Sequence, residues 1–122
     1  MKLHLHTSEG ANAISGHGDG YVAVNGARIE HAVIVTANRI IDPWPVAAPL
    51  APTFEEFAIL LGLQPELIVF GSGANFKFPA PQVMARFSQA GIGFEVMDTP
   101  AACRTYNVLM SEGRHVVAAL LV

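Results

Sequence analysis

Between Phe94 and Val122 the chain passes from the apolar stretch Phe94-Glu95-Val96-Met97 through Asp98-Thr99-Pro100 into a helical pattern. A glycine stop at Gly113 follows, and then the apolar run Val116–Val122. Strand–helix–strand order of this kind leaves few folds open. Two strands joined through a helix pair in parallel by a right-handed crossover, and a strand apolar throughout needs cover on both faces. The alternation begins earlier in the chain. Thr53-Phe54-Glu55-Glu56 has the form of a capping box, in which hydroxyl and carboxylate each satisfy an amide of the first turn. Phe54, Phe57, Ala58 and Leu61 follow at helical spacing, with Gly62 and Pro65 as a stop. Leu67–Phe70 reads as a buried strand. Val83, Met84, Phe87 and Ala90 stripe a second helix that ends at Gly91, before the strand Ile92–Met97.

The N-terminal half is antiparallel in character. Leu3 and Leu5 alternate with His4 and His6 at the period of a half-buried strand, and the glycine-rich span Glu9–Gly20 reads as a loop. Tyr21–Val24 and Arg28–Thr36 flank Asn25-Gly26, the dipeptide that supplies two positive φ angles to a type I′ turn, so a hairpin is predicted. Asp42–Pro52, with four prolines and no periodicity, reads as a surface crossing. Together these elements predict one α/β domain over residues 1–122. It has three layers and a mixed central sheet, an N-terminal β-hairpin preceding βαβ-type alternation.

Composition narrows the function classes. Hydrophobic residues make up 52% and charged ones 14%, which favours a large core and apolar contact with a protein partner or a second copy in a homo-oligomer. Seven scattered Lys and Arg against ten Asp and Glu give a net charge of −3, which argues against a nucleic-acid footprint. The single cysteine excludes an internal disulfide and suits a reducing compartment. No run approaches the roughly 20 apolar residues of a transmembrane helix. The first residues lack the character of a signal or mitochondrial presequence, so a cytoplasmic location is expected.

Two segments are candidates for chemistry. Gly71-Ser72-Gly73 leaves the carboxyl end of a buried strand, the edge at which open α/β sheets hold ligands. It is neither a Rossmann fingerprint nor a P-loop, and a simple tight turn is the alternative. In the segment 98–111, Thr99 suits the N-cap and Pro100 the first helical position. On a helical wheel Ala102, Thr105, Tyr106 and Leu109 share one face, while Pro100, Arg104, Asn107 and Ser111 share the opposite stripe. Cys103 lies at the border and is expected to be buried and inert. If both segments leave neighbouring strands, amides of the turn and of the first helical turn face one cleft able to take an anion, with Arg104 and Asn107 on its rim. His4, His6, His17 and His31 have no carboxylate or cysteine at ligand spacing, so neither metal nor cofactor is expected. No nucleophile elbow, zincin signature or Ser-His-Asp order is present.

Several motifs carry a resemblance: Glu66–Gly73, Gly91–Thr99, Ala101–Asn107 and Glu112–Leu121, together with the hairpin and the Pro43-Trp44-Pro45 crossing. In these the chain resembles the family of small domains of unknown function that includes mitochondrial complex I assembly factor 3 and its bacterial and archaeal homologues. That resemblance implies a three-layer α/β fold, protein binding without established catalysis, and no catalytic residues to carry over. The positions matching the family's motifs are Gly71, Gly73, Asp98, Thr99, Arg104, Thr105, Tyr106 and Asn107. With Ser72 they form the candidate ligand or partner surface. Two functions remain open. One is a non-catalytic interaction or assembly factor. The other is a small-molecule or anion-binding protein or enzyme that uses the Gly71–Gly73 turn and the helix start at Thr99.

Overall fold

In a computed structural model, which describes residues 10–48 and 50–122, the described residues form two sheets and three α-helices. The expected strand at Leu3–His6 lies outside the described residues. A small antiparallel sheet contains β1 (Ile14–Gly18), β2 (Tyr21–Val24) and β3 (Ala27–Ile29) in that order. Asn25 and Gly26 join β2 to β3 with φ of 53° and 84°, as the type I′ reading requires.

Two readings of this region are corrected. The glycine-rich span is not all loop, because β1 lies within it, paired to β2 and bulged between Ile14 and Gly16. Its glycines and polar residues hide the period-2 signal, and its pairing comes from tertiary neighbours. Nor is Arg28–Thr36 one strand. It breaks after Ile29, and Val33–Val35 (β4) belongs to the other sheet. No breaker residue marks that crossing.

The larger sheet has the order β5-β4-β8-β6-β7, with β5 at Ile40–Ile41, β6 at Leu67–Ser72, β7 at Gly93–Met97 and β8 at Val116–Leu121. β6 pairs in parallel with both β7 and β8, whereas β4 runs antiparallel to β8 and to β5. The sheet is therefore mixed, and the three apolar runs of the C-terminal half lie in it together. Alternation along the strands divides the core. Val69, Val116, Ala118 and Leu120 face the third helix, α3 (Thr99–Ser111), and the small sheet. Ile68, Phe70, Val117, Ala119 and Leu121 face α1 (Phe54–Ala58) and α2 (Pro81–Gln89). Three layers result, with the central strands covered on both sides.

Helix boundaries follow local chemistry. Thr53 caps α1 as expected: its hydroxyl accepts from the Glu56 amide at 3.1 Å, and the Glu56 carboxylate accepts from the Thr53 amide at 2.8 Å. α1 tightens into a 3₁₀ turn over Ile59–Leu63 that passes through Gly62 and stops at Gln64, whose φ is +50°. Pro65 disfavours helical backbone at the residue before it, so the stop falls there and not at the glycine. The Asp42–Pro52 crossing is also more than surface. Trp44 is 1% exposed, donates from its indole nitrogen to the Glu56 carbonyl at 2.9 Å, and meets the Phe57 ring edge-on at 5.5 Å.

Candidate functional site

The exits of β6 and β7 lie side by side, as the parallel arrangement demands, and hydrogen bonds join them. The Thr99 amide donates to the Gly73 carbonyl at 2.8 Å, and the Gly73 amide donates to Thr99 Oγ1 at 2.9 Å. The Thr99 hydroxyl donates in turn to the Leu121 carbonyl at 2.5 Å. One buried side chain thus ties the start of α3 to the ends of β6 and β8. Gly71 permits the approach. A Cβ on it would stand 2.8 Å from Thr99 Oγ1 and 3.0 Å from Thr99 Cα, inside normal contact. The glycine is there for helix packing.

The helix start differs from expectation in one respect. Asp98 is the N-cap, its carboxylate accepting from the Ala101 amide at 2.9 Å, and Thr99 is the first helical residue. The amides expected to face an anion are therefore engaged. Gly73 and Thr99 bond each other, Ala101 bonds Asp98, and Pro100 has no N–H.

The remaining candidates on α3 divide between solvent and core. Arg104 is exposed and Thr105 half-buried. Tyr106 is buried and its hydroxyl donates to the Asn12 carbonyl at 2.7 Å. Asn107 grips the backbone of β1 at both ends of its amide, accepting from the Ile14 N–H at 2.9 Å and donating to the Ile14 carbonyl at 2.8 Å. These two side chains lock the small sheet onto α3. Cys103 is 2% exposed, and burial pushes its thiol up to about 11 against the weaker opposing charge of Arg104. Burial likewise raises the Tyr106 phenol to about 12.

Beside the Thr99 knot opens a cleft of about 600 Å³, within the range of small-ligand sites. The β1–β2 turn, the loop after β6, the start of α3 and Leu50 enclose it, and its lining includes His17, Asp19, Tyr21, Asn75 and Lys77. Ser72, Gly73 and Thr99 reach its wall; Arg104, Thr105, Tyr106 and Asn107 do not. Of the histidines considered as ligands, His4 and His6 lie outside the described residues, His31 contacts Asp42, and His17 lines this cleft.

Sequence reasoning missed the loop after β6. Ser72 closes its base, donating from its hydroxyl to the Asn75 carbonyl at 2.7 Å and accepting from the Lys77 amide at 3.0 Å. Phe76 within that clasp and Phe78 just after it stand 55% and 61% exposed, their rings meeting edge-on at 4.8 Å, and Leu50, which shares a pocket wall with Phe78, is 53% exposed. Two phenylalanines in a stretch bounded by Gly73 and Pro79, with no periodic apolar partners, were the available signal. Among the described residues no helix is long and apolar enough to cross a membrane.

Known proteins share this sequence pattern and fold. A family model described as "Protein of unknown function (DUF498/DUF598)" matches residues 14–121. NADH dehydrogenase [ubiquinone] 1 alpha subcomplex assembly factor 3 of Bos taurus is 36% identical over 104 residues, covering 84% of this chain and 55% of that protein. The chain thus spans about half the length of that relative. An uncharacterized protein of Rhodobacter capsulatus is 34% identical over 114 residues, 92% of this chain and 86% of its own. A crystal structure of a Bordetella parapertussis protein superposes with a TM-score of 0.83 at 39% identity, covering 91% of this chain and 95% of that one.

Proposed function

Since the chain belongs to the DUF498/DUF598 family of proteins of unknown function, with a complex I assembly factor among its relatives, we propose that it is a non-catalytic protein-interaction factor. Its role is assembly-factor-like: it holds another polypeptide and transforms no substrate. The observation that carries this is the pair Phe76 and Phe78, displayed in solvent by a loop whose base the Ser72 hydroxyl clasps. Exposed aromatic side chains on a fixed support are the usual anchors of protein interfaces, because little conformational freedom is lost when they are covered. We place its action in the cytoplasm, in keeping with the lone, unpaired Cys103.

The test is the size of the native assembly. In extract the protein should elute in a hetero-complex well above its 13.0 kDa monomer, and the double variant Phe76→Ser, Phe78→Ser should elute alone. Elution of the wild-type chain as a monomer in both extract and purified form would overturn the proposal.

One observation favours a second reading, a small-molecule or anion-binding protein or enzyme. It is the 600 Å³ cleft that Ser72, Gly73 and Thr99 help to line. A ligand there should shift the backbone resonances of Gly73, Lys77 and Thr99 together. Shifts scattered over the surface would dismiss it.

A further inference from the structure

Resting on the protein-binding reading above, we propose that the partner presents an apolar pocket rimmed by carboxylates. Phe76 and Phe78 fill that pocket while Lys77 pairs with its rim. Charge is unevenly placed along the chain. From Leu67 to Phe94 the chain has no Asp or Glu, and its only fixed charges are those of Lys77 and Arg86. No other stretch of this length lacks an acid, in a chain whose net charge is −3. The aromatic ledge therefore stands in the longest acid-free span of an acidic protein, with Lys77 between Phe76 and Phe78 in sequence. Arg86 is occupied elsewhere, its guanidinium 5.4 Å from the centre of the Phe54 ring. Lys77 is exposed and is left as the cation of the ledge.

Rigidity gives the ledge its specificity. Two hydrogen bonds from Ser72 fix the chain on either side of Phe76, and the rings pack on each other at 4.8 Å. A surface already in shape binds without the ordering cost of a floppy loop. The other ionisable groups along the neighbouring cleft are His17 near the end of β1, Asp19 on the turn after it and Tyr21 at the start of β2. Asp19 is the one carboxylate lining that cleft, which neither Phe76 nor Phe78 lines, too little negative charge to draw a cationic partner to the ledge.

A second copy of the chain pairing ledge to ledge is disfavoured as the occupant. Two ledges meeting across a twofold axis would bring Lys77 toward Lys77, and like charges face to face disfavour the pairing. An acidic rim on a different protein removes that repulsion and strengthens encounter through charge steering.

The experiment uses the full chain. p-Benzoylphenylalanine replaces Phe78, the protein is irradiated in native extract, and the residues joined to it are located by mass spectrometry. The same probe at Val108, which is 56% exposed on α3, reports on a different face. Capture alone decides nothing, so the identified partner is titrated against variants. Lys77→Glu is expected to weaken binding at least tenfold and Lys77→Ala severalfold. Changing a rim carboxylate of the partner to lysine should restore binding to Lys77→Glu. The double variant Phe76→Ser, Phe78→Ser should lose it by a hundredfold or more while keeping the wild-type circular dichroism spectrum.

Undiminished binding of Lys77→Glu, or no rescue by the reversed partner charge, overturns the proposed chemistry and leaves the protein-binding reading intact. Adducts with lipid or with a second copy of the chain overturn the occupant. Adducts at Val108 and none at Phe78 move the interface off the ledge. No adduct at either position defeats both this proposal and the reading beneath it.

Discussion

Asn107→Ala is the substitution with the sharpest expected outcome. The Asn107 amide makes two hydrogen bonds to Ile14, at 2.9 and 2.8 Å, and Ile14 is 5% exposed. Each bond is worth about 1 kcal/mol net, and a buried peptide group left unpaired adds about 1 kcal/mol more. Partial entry of water at the half-buried Asn107 position offsets some of this. The expected loss is about 2–3 kcal/mol, or about 8–12 °C in Tm for a chain of this size. Asn107→Asp should cost as much, because it keeps the acceptor for the Ile14 N–H but sets a carboxylate against the Ile14 carbonyl. Urea unfolding measures the loss. Hydrogen exchange locates it: amides of Ile14–Ile29 should lose protection before those of Val116–Leu121, since the clamp holds only the small sheet to α3. A loss below about 0.5 kcal/mol, or protection falling equally in both regions, would refute the reasoning and return Asn107 to the candidate binding surface.

Other outcomes follow from the same contacts. Gly71→Ala drives a methyl group into Thr99 at 2.8–3.0 Å and should cost about 1–3 kcal/mol by thermal unfolding, a loss that Thr99→Ser cannot relieve because Thr99 Cα is itself in the way. Arg104→Ala, at an exposed position, should change stability by less than about 0.5 kcal/mol in the same assay. Cys103 should react slowly with a mild alkylating reagent in the native state and quickly once unfolded. Its thiol is raised from 9.0 to about 11 by burial, so only the unfolded chain ionises between those values, and stability should fall as pH rises from 9 to 11, less steeply in Cys103→Ala. Glu56 is shifted the other way, held below 4.5 by the Thr53 and Ala47 amides. Its contribution should be present above that value and disappear as pH falls below it, and Glu56→Gln should flatten the acid limb of the stability profile.

The C-terminal half was legible because its signals are local. Leu67–Phe70 and Val116–Leu121 are apolar without interruption, the Thr53–Glu56 box caps its helix as written, and Asn25-Gly26 dictates a turn. What escaped was set by distant residues. β1 has little pattern of its own and is held by Asn107, 93 positions away. The split of Arg28–Thr36 between two sheets has no local marker, and Trp44 looked like part of a surface crossing until Phe57 covered it. At the candidate site, the neighbouring exits of β6 and β7 could be inferred from parallel order. The mutual bonding of the Gly73 and Thr99 amides could not, because it depends on how closely Gly71 lets α3 descend. Tyr106 and Asn107 fell on different faces of an idealised wheel, yet both serve the same contact with the small sheet.

Of the described strands β8 comes last in sequence yet sits in the middle, with β4 on one side and β6 on the other. Until those six residues are available, β5-β4 and β6-β7 are separate fragments, each with a bare apolar edge that no other described strand pairs with. The sheet therefore closes in one late step that joins residues far apart in sequence, which slows folding and extends the time during which unpaired edges are open to foreign strands. Synthesis of Val116–Leu121 sets the earliest moment at which this sheet can close. A nascent chain stalled before Val116 is a target for chaperones or for aggregation, however well its helices have already formed.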